Sequence, residues 1–306
     1  MGGYVLRRLL QMLLTLIGIS IITFLITHAL PADPARQIAG RTASAAQVEQ
    51  VRHAFGLDLP LHEQYIRYAT NLVQGDLGRS YVQRTDVAAL IAARLPATLL
   101  LMLGAIVCEL LIGLTAGTIA AFKRNTAVDQ GVMIGALLFV STPQFLVAYT
   151  LLYLFSNWLG WFPLSGYGSF RHLVLPSIAL GLLGGGWYGR MMRSSVIEVL
   201  RQDYVRTARA KGLSRARIVL LHVLPNGLLP IIAMIGLDIG YFMSGIVVVE
   251  SVFGWPGIGQ LAWQAIQTID IPIIMGVTLV AACAIVLGNL LADLVAPLID
   301  PRIKLK

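Results

Sequence analysis

The sequence predicts an all-α, polytopic membrane protein with six transmembrane helices and a short basic helix held at the membrane surface. Three observations carry that expectation. Of 306 residues, 57% are hydrophobic and only 12% are charged, about half the charged share of a soluble globule. Such a chain cannot hide its apolar surface in one water-facing core. Six apolar runs alternate with polar segments, each run long enough to cross a hydrocarbon layer of roughly 30 Å. The basic residues gather beside these runs, where the positive-inside rule expects them. The net charge of +8 therefore points to membrane lipid and not to nucleic acid. The two cysteines, Cys108 and Cys283, each sit inside an apolar run. They imply small buried side chains and no disulfide framework.

The first run, about Leu9 to Leu30, follows Arg7 and Arg8. It exceeds the usual signal-peptide core of roughly 7–15 residues, and Leu30-Pro31-Ala32-Asp33-Pro34 offers no small-residue cleavage site. It reads as an uncleaved first transmembrane helix over residues 1–30, entering from the cytoplasm, with Pro31 and Pro34 marking its exit. Residues 31–96 form the longest polar segment, with seven Arg and six acids. Ala45 to Phe55 reads as a helix capped by Ser44, Leu61 to Leu72 as another, and Gly75-Asp76-Leu77-Gly78 as a turn. The whole looks like a small folded loop outside the cytoplasm. His62-Glu63 begins an H-E-x-x-H pattern, but Ile66 stands at the second ligand position, so a zinc-protease site fails.

Residues 97–306 supply the other five helices. The second run is Thr98 to Phe122, closed by Lys123-Arg124. The third, about Val132 to Trp158, carries Pro143, which predicts a kink. Trp158, Trp161, Phe162 and Tyr167 read as interfacial aromatics. The fourth, about Leu173 to Met192, has Pro176 in its first turn. Its Gly184-Gly185-Gly186 permits close helix approach or local unwinding. The fifth spans about Gly227 to Val249, before a turn-rich stretch from Glu250 to Gly259. The sixth spans about Ile271 to Leu298. With both termini inside, fifteen of the 23 Lys and Arg fall on the cytoplasmic side. Seven of the rest lie in the long outer loop, whose length makes it insensitive to the charge rule.

Residues 203–225 join the fourth and fifth runs. Arg206, Arg209, Lys211, Arg215 and Arg217 make the stretch strongly basic. Tyr204, Thr207, Ala208 and Lys211 follow i, i+3, i+4, i+7 spacing and share one helix face, on a helix of about 15 Å. Gly212 ends it, because glycine takes the left-handed cap conformation without penalty, and Ser214 caps the next helix.

This stretch resembles the EAA loop of the membrane subunits of ATP-binding-cassette importers, Glu-Ala-Ala-x3-Gly-x9-Ile-x-Leu-Pro. Ala208, Gly212, Leu224 and Pro225 stand at the matching spacing. Arg206, Thr207 and His222 depart from it, standing where Glu, the first Ala and Ile are usual. Asp203-Tyr-Val-Arg-Thr-Ala-Arg-Ala-Lys-Gly-Leu213 looks instead like the variant in the dipeptide, oligopeptide, glutathione and nickel permeases. Leu30-Pro-Ala-Asp-Pro34, Phe55-Gly-Leu-Asp58, Gln64-Tyr65 and Gly75-Asp-Leu-Gly78 resemble the outer loop of the same family. The resemblance implies the type I importer permease fold. It also implies a coupling helix that enters a groove on an ATPase, with Tyr204, Thr207, Ala208, Lys211, Gly212, Leu224 and Pro225 at that contact. The implied partners are a second homologous permease, two ATPase subunits and an extracytoplasmic solute-binding protein, in a bacterial inner membrane. The implied cargo is a di- or oligopeptide, glutathione or a nickel complex.

The chain carries no energy source of its own. None of its four lysines follows a Gly and precedes Ser or Thr, so it lacks the G-x-x-x-x-G-K-[ST] loop that cradles phosphates. ATP and Mg are expected in the partner ATPases, with no cofactor in this chain. No G-x-S-x-G elbow or convincing metal set is present, which disfavours an intramembrane enzyme. An ion-coupled secondary transporter is the alternative. It would call for paired broken helices in two related halves, and no convincing repeat is found. Glu109, Asp238 and Asp293 lie within apolar runs, where an acid costs about 2.5–3.5 kcal/mol on insertion scales. Glu109 and Asp293 read as structural hydrogen-bonding groups. Asp238, near mid-membrane, either lines the pathway or is structural. Glu250, at the outer boundary, is expected to face a docked binding protein or the pathway mouth.

Overall fold

The computed structural model describes residues 2–29, 33–40 and 42–299, and their side chains except at 2–6, 28, 29, 37, 244, 245 and 291–299. Pro31, the tail from residue 300 and the Asp293 side chain lie outside that set. Every regular element among the described residues is helical, with no strand and one isolated bridge between Arg79 and Asp86.

The first run forms α1 (Gly2–Ala29). Pro34 does not simply mark an exit: it opens a short α2 (Pro34–Ala39), whose N-cap Asp33 accepts from the Ala35 amide at 3.0 Å. Proline fits the first helical position because the amide it lacks would be unpaired there. Ser44 caps α3 (Ala45–Ala54) in a reciprocal capping box with Gln47. The helix predicted next is α4 (Leu61–Val73). Gly75 and Gly78 both have positive φ, closing the expected turn.

The second span is longer than its apolar run. It is α5 (Val87–Phe122), with Pro96 inside it. Val87 and Ile91, one helical turn apart, are both buried, and this amphipathic face carries the helix outward past Pro96. The third run is not one kinked helix. It is α6 (Ala127–Ser141) and α7 (Gln144–Leu151), followed by a π-helical turn over Leu152–Trp158, with a bend of 105° at the break. Thr142 is extended at ψ 132, because the proline ring excludes the helical region for the residue before it. The fourth run forms α8 (Phe170–Val199). It starts earlier than its apolar run, so Pro176 lies in its second turn.

Then follow α9 (Asp203–Ala210), α10 (Arg215–Ile218), a π-helical turn over Val219–Val223 and α11 (Leu224–Gly227). A 43° bend leads into the fifth span, α12 (Leu229–Gly245). The stretch read as turn-rich holds α13 (Val247–Val252) and α14 (Ile258–Thr268) around its glycines and Pro256. The sixth run is α15 (Ile271–Ile299). By length and composition, three described helices can cross a membrane, and five if each bent pair is one span. The glycines, arginines and Glu198 of α8 lower its hydropathy below that standard.

The chain divides into two compact units. The first comprises residues 1–98 and 256–284. Its core packs Phe24 of α1 edge-on to Tyr65, with ring centroids 5.4 Å apart, and against Ile271 and Met275 of α15. Ser20 Oγ and Tyr65 Oη are 2.8 Å apart. Asp270, 1% exposed, ties the segment before α5 to the start of α15. Its carboxylate accepts from Ser80 Oγ at 2.5 Å and from the Tyr81 and Val82 amides at 3.2 Å each. The neighbouring Tyr81 hydroxyl is pushed up to about 12 by burial and then by the charge of Asp270, so it stays neutral.

The second unit comprises residues 99–255 and 285–306, with α8 at its centre. Tyr188, Met192 and Val196 of α8 are all at most 1% exposed, and Ala121, Ile231, Val205 and Ala208 pack in the same cluster. Trp255, 1% exposed, meets the Tyr167 ring edge-on at 4.9 Å. Trp158 and Trp161 remain exposed, as interfacial residues should.

Asp270→Ala removes the acceptor from three donors, two of them backbone amides. The expected cost to the 79–86 segment is about 2–4 kcal/mol. Trypsin should then cut at Arg79 and Arg84 markedly faster than in the parent protein, with Asp270→Asn intermediate.

Candidate functional site

Two places in the second unit combine exposed or polar chemistry with a fixed framework. The first is the basic loop. Its α9 ends in a paired cap: Leu213 N–H donates to Ala208 C=O at 3.3 Å and Gly212 N–H to Arg209 C=O at 3.0 Å. This is the Schellman arrangement, and it requires the left-handed backbone found at Gly212, φ +76°. Ser214 then caps α10 by accepting from the Arg217 amide. With eight residues, α9 is about 12 Å long, shorter than expected.

The predicted shared face divides. Val205 and Ala208 are buried at 0% and 4% exposure, against Val196 and Val199 of α8 and Ile218 of α10. Burying Val205 is worth roughly 1.5–3 kcal/mol, so the loop is fastened to its own chain. Tyr204, Thr207, Lys211 and Gly212 stay exposed. A Cβ at Gly212 would meet nothing within 4 Å. Ala208 is therefore small to suit the interior of this chain, and the free surface of α9 is carried by its neighbours. Leu224 packs on the same cluster, while Pro225 is exposed in the first turn of α11. The π-helical turn just before it widens the backbone where proline cannot donate. Arg215 lies over the Phe122 ring at 5.4 Å.

The second place is a cavity of about 400 Å³ among α5, α8, α12 and the break between α6 and α7. The break contributes Thr142 and Gln144 to its wall. Non-helical backbone at this depth is tolerated where it lines such a space. Glu109 of α5, 3% exposed, is hydrogen-bonded to Asp238 of α12, and Tyr188 of α8 donates its hydroxyl to Asp238 Oδ2. Glu109 Oε2 is buried with no hydrogen-bond partner. Gly184 makes this possible, since a Cβ there would stand 1.7 Å from Glu109 Oε1. The glycine run thus serves close approach, and α8 stays helical through it.

Sequence reading singled out Asp238 but set Glu109 apart as structural and passed over Tyr188. The pairing of acids from α5 and α12 follows from packing alone. The one sequence signal was two acids and a Gly-Gly-Gly run, each inside an apolar segment. Glu250, expected at an outer surface, is fully buried in α13 beside Val249 and near Phe253. Further along α8, Arg193 forms a two-pronged ion pair with Asp129 of α6, at 2.6 and 2.7 Å. Asp129 also accepts from the Asn125 amide at 2.9 Å. Among the described residues no group of three or more His, Cys, Asp or Glu could hold a metal.

Comparison with known proteins places this architecture. Residues 113–305 match the family described as binding-protein-dependent transport system inner membrane component, and residues 1–102 match the corresponding N-terminal family. The chain belongs to this family. It is a permease subunit of an ABC importer, in the inner membrane. It is 42% identical over 306 residues, all of both chains, to the glutathione transport system permease protein GsiC of Escherichia coli strain K12. It is 41% identical over the same full length to that of Salmonella paratyphi A. Solved structures of inward-facing conformations of the MetNI methionine ABC transporter share the fold. One matches 69% of this chain and 96% of its own, with a TM-score of 0.60 and 17% identity.

Gly184→Ala forces the Glu109 carboxyl out of its position, at a cost of roughly 1–3 kcal/mol. The thermal stability of the purified assembly and its uptake should both fall. Gly131→Ala in α6 meets nothing within 4 Å and should be neutral, or stabilising by up to about 1 kcal/mol through helix propensity.

Proposed function

We propose that this permease imports small peptides or glutathione-like solutes, and that residues 203–225 transmit ATPase movement to the membrane helices. The observation that carries the second part is the two-sided build of α9. Its underside is packed on the end of α8, and Tyr204, Thr207 and Lys211 are exposed beside an open Gly212. A partner pushing on that exposed face moves α8 and, through α10 and α11, the fifth span. The cargo class rests on the full-length similarity to the glutathione permeases. Under this reading both termini are cytoplasmic, six spans cross the membrane with α8 as the fourth, and residues 31–96 lie outside, where a solute-binding protein docks. Two ATPases carry ATP and Mg, a second homologous permease completes the pathway, and the cavity holding Asp238 lies on the route of the solute.

Gly212→Val tests the coupling role. Valine fits the space inside this chain but is strained in a left-handed backbone by roughly 1–2 kcal/mol, and it adds bulk on the exposed face. Membrane insertion should be normal, while uptake and the ATPase response to loaded binding protein are lost. Arg215→Ala should cost much less. Unchanged coupling in Gly212→Val defeats the assignment.

Topology has its own test. Cysteine at Ala45 or Gln83, both exposed, should react with an impermeant thiol reagent added to intact spheroplasts. Reaction only after membrane rupture would place residues 31–96 inside.

A further inference from the structure

We propose that Glu109, Asp238 and Tyr188 form a binding site for the ammonium group of the transported solute. This deepens the transport reading above and rests on it. Four features of the cavity lead to it.

The first is charge. Two carboxyls, from α5 and α12, meet in hydrogen-bond contact and concentrate acidic oxygens on one wall. No Lys, Arg or His lines the cavity to pair with them. The second is an open acceptor. Glu109 is 97% buried by its 3% exposure and lines the cavity, and no N–H or hydroxyl of the wall donates to its Oε2. A buried acceptor left empty costs free energy that a donor on a ligand recovers. The third is orientation. The Tyr188 hydroxyl holds Asp238 from the side of α8, which fixes the second carboxyl as an acceptor. Tyr188 is thus a positioning residue. The fourth is the surrounding wall. Trp187 and Tyr241 belong to it, and the Trp187 ring already carries a cation, the Arg190 guanidinium at 4.6 Å, as aromatic faces do.

The alternative cation, a metal ion, is poorly served. Two carboxyls and one amide oxygen fall short of the six to eight oxygens that calcium takes or the octahedral shell of magnesium, and about 400 Å³ is the size of a small organic molecule. An ammonium has three N–H donors. Glu109 Oε2, an Asp238 oxygen and Gln144 at the break between α6 and α7 are acceptors for them on this wall.

The test uses the assembled transporter with Cys108→Ala, Cys283→Ala and a single reporter, Thr142→Cys, on the same wall. Its modification rate is measured with cationic aminoethyl and anionic sulfonatoethyl methanethiosulfonate. The cation should react at least about tenfold faster, the scale of charge focusing in a low-dielectric cleft. That preference should collapse towards unity in Asp238→Asn combined with Glu109→Gln. In the transporter with both acids intact, glycylglycinamide should protect the reporter and N-acetylglycinamide should not. Equal rates for the two reagents, a preference that survives loss of both acids, or equal protection by the two amides would each overturn the proposal. The protection comparison needs no acid variant, so it decides the matter even where the double variant fails to assemble. Neither arm needs ATP or a binding protein. Failure of ATP-driven uptake with charge selection intact would strike the transport reading alone, and the reverse would strike this site alone.

Discussion

The contact on which the second unit depends is the passage of the Glu109 side chain past Gly184 to Asp238. It links three helices, α5, α8 and α12, through one buried polar cluster. An acid within a membrane helix must face protein or water, because lipid offers it no partner. Here that requirement is met by an absence of side chain: Gly184 leaves the volume that the carboxyl fills. Gly186 lets α6 come close in the same way, since a Cβ there would meet the Ala136 carbonyl at 2.7 Å. Helices in lipid lack a hydrophobic drive to associate with one another. Close backbone approach and polar contacts are what remain, and α8 supplies both within one turn.

The same helix carries the basic loop. Beyond the ion pair of Arg193 with Asp129, α8 continues to Val199, and its last two turns receive Val205 and Ala208. The loop is therefore a rigid extension of a membrane helix and not a tether between two. Its end is fixed by a Schellman cap that only a left-handed residue completes, and its restart by the Ser214 cap. A force applied to the exposed side of α9 has few soft joints through which to dissipate before it reaches the cavity wall on α8. The proposed transmission of movement rests on short elements packed on one face and joined through the caps at Gly212 and Ser214.

In the first unit the corresponding device is electrostatic. One buried carboxylate, Asp270, gathers three donors from residues separated from it by most of the chain. The aromatic cluster around Phe24 adds apolar and edge-to-face ring contacts beside it. Hydrogen bonds to a charged acceptor are stronger than neutral ones, and they pin the segment that leads into α5. The polar segment between the first two runs thus acquires a defined structure with little apolar area to bury.

The sequence by itself determined the membrane class, the six apolar runs, the caps at Ser44, Gly212 and Ser214, and the basic loop with its family resemblance. Each of these follows from local properties: mean hydropathy, spacing along a helix, or the backbone preference of one residue. Tertiary structure alone decided which side of α9 is free, because Val205 and Ala208 are buried only once the end of α8 is present. It decided that Pro143 breaks its span by 105° instead of kinking it, because the ends of α6 and α7 there line a cavity that sequence does not show. It extended α5 to Val87, revealed α14, and buried Glu250. It also brought Glu109, Tyr188 and Asp238 together from positions up to 129 residues apart. Local pattern names the residues that must be buried or capped, but which of them meet is set by helix packing, and that is a property of pairs distant in sequence.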